Sequence, residues 1–171
     1  MDFITLMLLG GLGLALYYML QGAETDSTGY GVPPDYVDPG GGVVFMPANI
    51  ESKVQEFCNA IAHAEGFGVP GAVPTTHHNP GDLGPGDCPG YPYDFHSGSN
   101  VCQLPSDDVG WAFLQNKIRN AFNGHSHVFS PSMTITQWAQ KYAGDWQNWA
   151  KNVAAYLGVS PDTVISDWIA S

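Results

Sequence analysis

Residues 52–68 read SKVQEFCNAIAHAEGFG. Val54, Phe57, Cys58, Ile61 and Ala62 recur at the spacing of one helix face, which predicts an amphipathic helix. Ser52 and Gln55 stand in the relation of a capping box that would open it. Gly66 and Gly68 would close it. Glu65 falls four residues after Ile61 and seven after Cys58, so the helix ends with a carboxylate on its own apolar stripe.

Downstream of this helix the periodicity disappears. Residues 67–105 are rich in Gly, Pro, Asp and His and predict loops with a short hairpin. Helical patterns then resume. Ser106 caps a second helix, with Asp107 and Asp108 in its first turn and Lys117 and Arg119 nearer its end, as the helix dipole favours; Gly124 stops it. Residues 134–143 form a third, with Ile135, Trp138, Ala139 and Tyr142 on one face. Residues 146–157 form a fourth, carrying Trp146, Trp149, Ala150, Val153 and Leu157, with Gly158 as its cap. Ser160 and Pro161 are expected to open a fifth, docked by Val164, Ile165 and Trp168. The expected fold is mainly α: a helical domain over residues 50–171 with a small loop and β-hairpin insertion after its first helix.

Upstream, residues 3–20 form an uncharged run, FITLMLLGGLGLALYYML, at the short end of what spans a bilayer. Tyr17 and Tyr18 lie near one end, where amphipathic rings favour the interface. The preceding MDF has no positive charge and no A-x-A site follows, so a retained transmembrane anchor over residues 1–21 is expected rather than a cleaved leader. Neither flank carries Lys or Arg to set the orientation. Residues 22–49 are Gly/Pro-rich with only acidic charges and read as a tether; Val43, Val44 and Phe45 allow a short packed strand instead.

Sixteen acidic residues against five basic ones give a formal charge of −11. This argues against nucleic acid as a partner, because phosphate binding needs a basic patch. Of the three cysteines, Cys58 belongs to the helical apolar stripe and reads as a buried thiol. Cys88 and Cys102 bracket a Gly/Tyr-rich stretch and are the pair expected to bridge in an extracytoplasmic domain.

Glu65 is the residue best placed for chemistry. Burial on an apolar face disfavours its ionised form, and the negative end of a helix dipole acts the same way. A carboxylic acid still protonated near neutral pH can protonate a leaving oxygen. A solvated terminal Glu is the alternative. His63, His77, His78 and His96 lie close to this region in sequence, but without an H-E-x-x-H spacing no metal or other cofactor is expected, and loop or surface histidines are the default.

Two segments carry a family resemblance: AIAHAEGF, residues 60–67, and HNPGDL, residues 78–83. Together with DVGW at 108–111 and WAQKY at 138–142, they resemble the lysozyme-like superfamily, in particular a phage-associated branch with an A-x-x-E-G-F segment followed by an N-P-G-[ND]-L turn. The resemblance extends over about residues 52–168. It implies a lysozyme-like α+β fold and a muramidase or lytic transglycosylase that cuts peptidoglycan glycan strands, with Glu65 as the catalytic acid. Asn79 and Asp82 become candidate substrate contacts, or equally turn formers around Pro80–Gly81. Tyr142 matches a position where related enzymes place a tyrosine near the acid, or is a core aromatic. Asp82, Asp87 and Asp94 are the candidates for a second carboxylate, and Tyr91, Tyr93 and Trp111 weaker candidates for stacking on sugar.

The setting implied is single-pass and membrane-anchored. It is either the virion membrane of a phage, with virion or membrane proteins as neighbours, or the wall-facing side of a bacterial inner membrane. Two other functions compete: a lysozyme-like structural or wall-binding protein without catalysis, and a zinc-dependent wall hydrolase.

Overall fold

The computed structural model describes residues 50–96 and 98–171. The expected anchor and tether lie outside the described residues. No described helix is long and apolar enough to cross a membrane. Six helices and one antiparallel hairpin make up the described residues: α1 (Ile50–Glu65), α2 (Val73–Thr76), β1 (Tyr93–His96), β2 (Ser99–Cys102), α3 (Asp107–Phe122), α4 (Ile135–Tyr142), α5 (Trp146–Leu157) and α6 (Ile165–Ala170). This is the expected helix-rich domain with a small hairpin insertion.

α1 is the hub of the domain and packs on both α5 and α3. Its Val54, Phe57, Cys58 and Ile61 are almost wholly buried. Phe57 meets Phe122 of α3, Trp138 of α4 and Trp168 of α6 at centroid distances of 5.2–5.8 Å. Aromatic edges and faces from four helices thus share one core. α1 already includes Ile50 and Glu51, so Ser52 lies within the helix rather than capping it. Arg119 of α3 bonds both carboxylate oxygens of Glu51, at 2.8 and 2.9 Å. That pairing also pulls the Glu51 carboxyl below its ordinary pKa.

At the other end Phe67 N–H donates to Ala62 O and Gly66 N–H to His63 O, the paired bonds of a Schellman motif. Gly66 takes φ +79°, the left-handed conformation this motif needs. The chain therefore turns sharply away just beyond Glu65.

α3 is capped by Ser106, whose hydroxyl accepts from Val109 N–H, and α4 by a full Thr134–Gln137 capping box. The fifth helical segment departs from expectation. Pro161 lies in a turn, and the helix begins only at Ile165. The reason is reciprocal capping of helix ends, whose first N–H groups need acceptors. Ile135 and Thr136, opening α4, donate to Thr163 O and Pro161 O; Ile165 and Ser166, opening α6, donate to Met133 O and Pro131 O. The turn at 161–163 presents Pro161 O and Thr163 O to the start of α4, and a helix running through it would engage those carbonyls itself.

The insertion is closed on itself by a disulfide and held to the helices by close packing. Cys88 and Cys102 form the expected disulfide, and Cys58 is a buried free thiol. A loop of 14 residues closed this way contributes about 3 kcal/mol. Burial raises the Cys58 thiol to a pKa of about 12, which removes it as a nucleophile at neutral pH. Gly110 sits where α3 crosses the 78–80 turn. A methyl group built on it would lie 1.9 Å from the carbonyl oxygen of His78. Only glycine permits this contact, which sets the height of the turn over the helices.

Candidate active site around Glu65

Three elements converge at the end of α1. Glu65 is brought there by the helix, Trp149 by α5, and Asp82 by the turn that follows α2. Trp149 Nε1–H donates to Glu65 Oε1 at 2.8 Å. This indole is nearly buried, and a buried indole N–H usually finds an acceptor. The sequence presented Trp149 only as a core aromatic. The available signal was the carboxylate on the apolar stripe of α1, the one acceptor suited to an indole arriving from the opposite helix.

Burial is the main reason the Glu65 carboxyl is pushed up to a pKa of about 7. The charge of Asp82 pushes the same way, and the Trp149 bond opposes both by favouring the carboxylate. Glu65 is thus divided between acid and carboxylate near neutrality. Burial also raises Asp82, with His77 and His96 acting against it. Asp82 adopts φ +47°, a conformation uncommon for a residue with a side chain. Its Oδ1 is buried and has no hydrogen-bond partner among the described residues. A strained backbone holding an unmatched carboxyl oxygen is what a ligand-facing residue looks like.

The turn is held by Asn79, which is fully buried. Its amide nitrogen donates to Leu83 O and Cys102 O at 3.0 and 3.1 Å, and its amide oxygen accepts from Leu83 N–H at 2.8 Å. Every strong bonding position of this side chain is used inside the domain. Asn79 therefore has no surface to offer a substrate, and of its two expected roles it fills the turn-forming one. Tyr142 is the other brace: its hydroxyl donates to Gly81 O at 2.6 Å, and its ring lies 5.0 Å from that of Trp149. Burial, together with the charge of Glu65, holds the Tyr142 phenol well above its ordinary pKa. It remains a hydrogen-bond donor.

Asp82 and Tyr142 both line an open cleft of about 520 Å³, with Leu83, Asn100, Lys117 and Phe129 on its walls. The other expected carboxylates are engaged elsewhere. Asp87 pairs with Lys117 at 2.7 Å, and Asp94 is bonded by Gln103 and lies beside His77. Of the three candidates for a second carboxylate, Asp82 alone acts on the Glu65 charge. Lys117, read from sequence as a dipole-matched helix residue, stands over the rings of Phe129 and Tyr142 at 5.3 and 5.4 Å.

Among the aromatic candidates, Trp111 packs edge-on against Phe67 at 5.5 Å, beside the end of α1. Tyr91 packs on Phe113 at 5.6 Å, and Tyr93 is exposed on the hairpin. The four histidines near the site do not converge as a group. His63 stacks on Tyr156, and His78 bonds Asp107 at 2.6 Å. His77 and His96 do meet, at 5.0 Å between ring centroids.

No family model, curated protein or solved structure matches this chain. The functional reading therefore rests on the site.

Proposed function

We propose that residues 50–171 form a lysozyme-like domain that cleaves the glycan strands of peptidoglycan with Glu65 as general acid. The observation that carries this reading is the carboxyl of Glu65, which burial and Asp82 hold near pKa 7 at the mouth of a helix end. A general acid works best when its pKa lies near the working pH. Glu65 gives its proton to the glycosidic oxygen as the bond from that oxygen to the anomeric carbon breaks. The Trp149 N–H, already on Oε1, then stabilises the carboxylate that remains. Water, or a hydroxyl of the same sugar, then adds to that carbon and returns a proton to Glu65. Asp82 raises the proton affinity of Glu65 beforehand and faces the charge that develops on the sugar. Tyr142 holds the backbone of the Asp82 turn through Gly81 O.

The apolar run at residues 3–20 supports a membrane-anchored enzyme held close to the wall. Such an enzyme belongs in the virion membrane of a phage, where it opens the wall during entry, or on the wall-facing side of a bacterial inner membrane. The extracytoplasmic setting is supported by the Cys88–Cys102 disulfide, a bond that persists in oxidising compartments.

The test is digestion of purified peptidoglycan by the full chain in detergent, wild type beside Glu65→Gln, with products read by mass spectrometry. Wild type is expected to release muropeptides, and the variant to do so at least about 100-fold more slowly. Anhydro ends mark transglycosylation and reducing ends mark hydrolysis. Wall binding without release by wild type would overturn the enzyme reading in favour of a wall-binding component.

A further inference from the structure

His77, at the end of α2, faces the hairpin residues Asp94 and His96. Each of these three side chains offers a ligand atom, and the three atoms lie within 4.8 Å of one another. His77 Nε2 and His96 Nε2 are both buried without a hydrogen-bond partner among the described residues. Buried ring nitrogens are ordinarily matched, so two unmatched ones on histidines clustered with a carboxylate require an explanation.

The local bonding sharpens the point. Thr76 Oγ1 donates to Val73 O at 3.2 Å and lies 3.1 Å from His77 Nδ1, so the Nδ1 edge of the ring is engaged locally. The other ring nitrogen, Nε2, faces Asp94 Oδ2 at 3.4 Å. The separation itself is informative. Tetrahedral zinc with bonds of about 2.0–2.1 Å sets neighbouring ligand atoms about 3.3 Å apart.

We propose that His77, Asp94 and His96 bind one divalent transition-metal ion, with zinc the best fit. Two imidazoles select against magnesium and calcium, which take oxygen ligands. Three protein ligands leave a fourth position, which water fills on the exposed Asp94 side. The outer partners are in place: the Thr76 hydroxyl lies at Nδ1 of His77, and Gln103 bonds the Asp94 carboxylate. The ion would clip the hairpin to the end of α2, on the same insertion that carries Asp82. The site uses residues apart from Glu65 and stands whether or not the domain cleaves glycan.

The experiment is calorimetric titration of zinc chloride into the full chain, stripped with chelator and held in detergent at pH 7.5. Wild type, Asp94→Asn, His96→Ala and the control His127→Ala are compared, each checked by circular dichroism. One zinc per chain is expected in wild type and in the control. Affinity should fall at least tenfold in Asp94→Asn and His96→Ala, and zinc should raise the melting temperature of wild type but not of these two. Asp94→Asn keeps the shape of an exposed side chain, so it reports even if His96→Ala fails to fold. Absence of saturable binding in wild type, or equal affinity in Asp94→Asn and wild type, overturns the proposal.

Discussion

Glutamine at position 65 keeps the shape of the side chain and an oxygen able to accept from Trp149, but it cannot ionise. The consequence for stability can be worked from the structure. In the unfolded chain Glu65 titrates near 4.5, and in the folded domain burial and Asp82 hold it at about 7. Between these values the folded protein binds a proton that the unfolded protein has released, so stability falls as pH rises through the window. The full difference amounts to about 3 kcal/mol. It is a benefit intact below pH 4.5 and gone above pH 7. Glu65→Gln removes this dependence. The variant should match wild type at pH 4.5 and be more stable by up to about 3 kcal/mol at pH 8, while losing catalysis. Urea unfolding followed by tryptophan fluorescence at several pH values measures this directly, because Trp149 reports from the site itself. Parallel stability profiles for the two proteins between pH 4.5 and 8 would refute the argument that Glu65 is held protonated by its surroundings. The same ionisation should appear in wild-type activity as a limb falling above about pH 7.

Further outcomes follow from individual contacts. Trp149→Phe removes the one bond that favours the Glu65 carboxylate, so the alkaline limb of the pH–rate profile should move upward and the maximal rate should fall; an unmoved limb would separate Trp149 from the acid. Gly110→Ala places a methyl group 1.9 Å from His78 O, and the forced shift of the 78–83 turn should cost about 3 kcal/mol or more in a thermal melt. Asn79→Ala leaves Leu83 N–H without its acceptor and takes one donor each from Leu83 O and Cys102 O in a buried turn, and should cost about 2–3 kcal/mol in urea unfolding. Wall binding measured on the folded Asn79→Ala protein should be unchanged, since the side chain has no exposed surface.

Much of this domain was legible one residue at a time. The α1 stripe, the Ser106 and Gly158 caps, the span of α5 and the hairpin within the Gly/Pro-rich insertion are local patterns. Periodicity, capping chemistry and turn residues are properties of neighbours in sequence, and they survive folding because nothing distant opposes them. Glu65 was legible for the same reason, as a carboxylate on its own helix's apolar face. The exceptions each involve a distant partner. Ser52 lies within helix α1, whose Glu51 is reached by Arg119, and residues 161–164 stay non-helical because the start of α4 takes the carbonyls of Pro161 and Thr163. The same limit governed the site. Trp149 is a core aromatic by pattern and the partner of Glu65 only by packing. Asn79 is a turn residue whose burial decides that it braces rather than binds. Asp82, Asp87 and Asp94 are alike in sequence, and only the fold hands Asp87 to Lys117, Asp94 to His77 and Gln103, and Asp82 to the field of Glu65. Sequence determined which groups can carry charge, protons or an ion; tertiary structure decided which of them meet, because desolvation and pairing act through space over a few ångströms, whatever the separation along the chain.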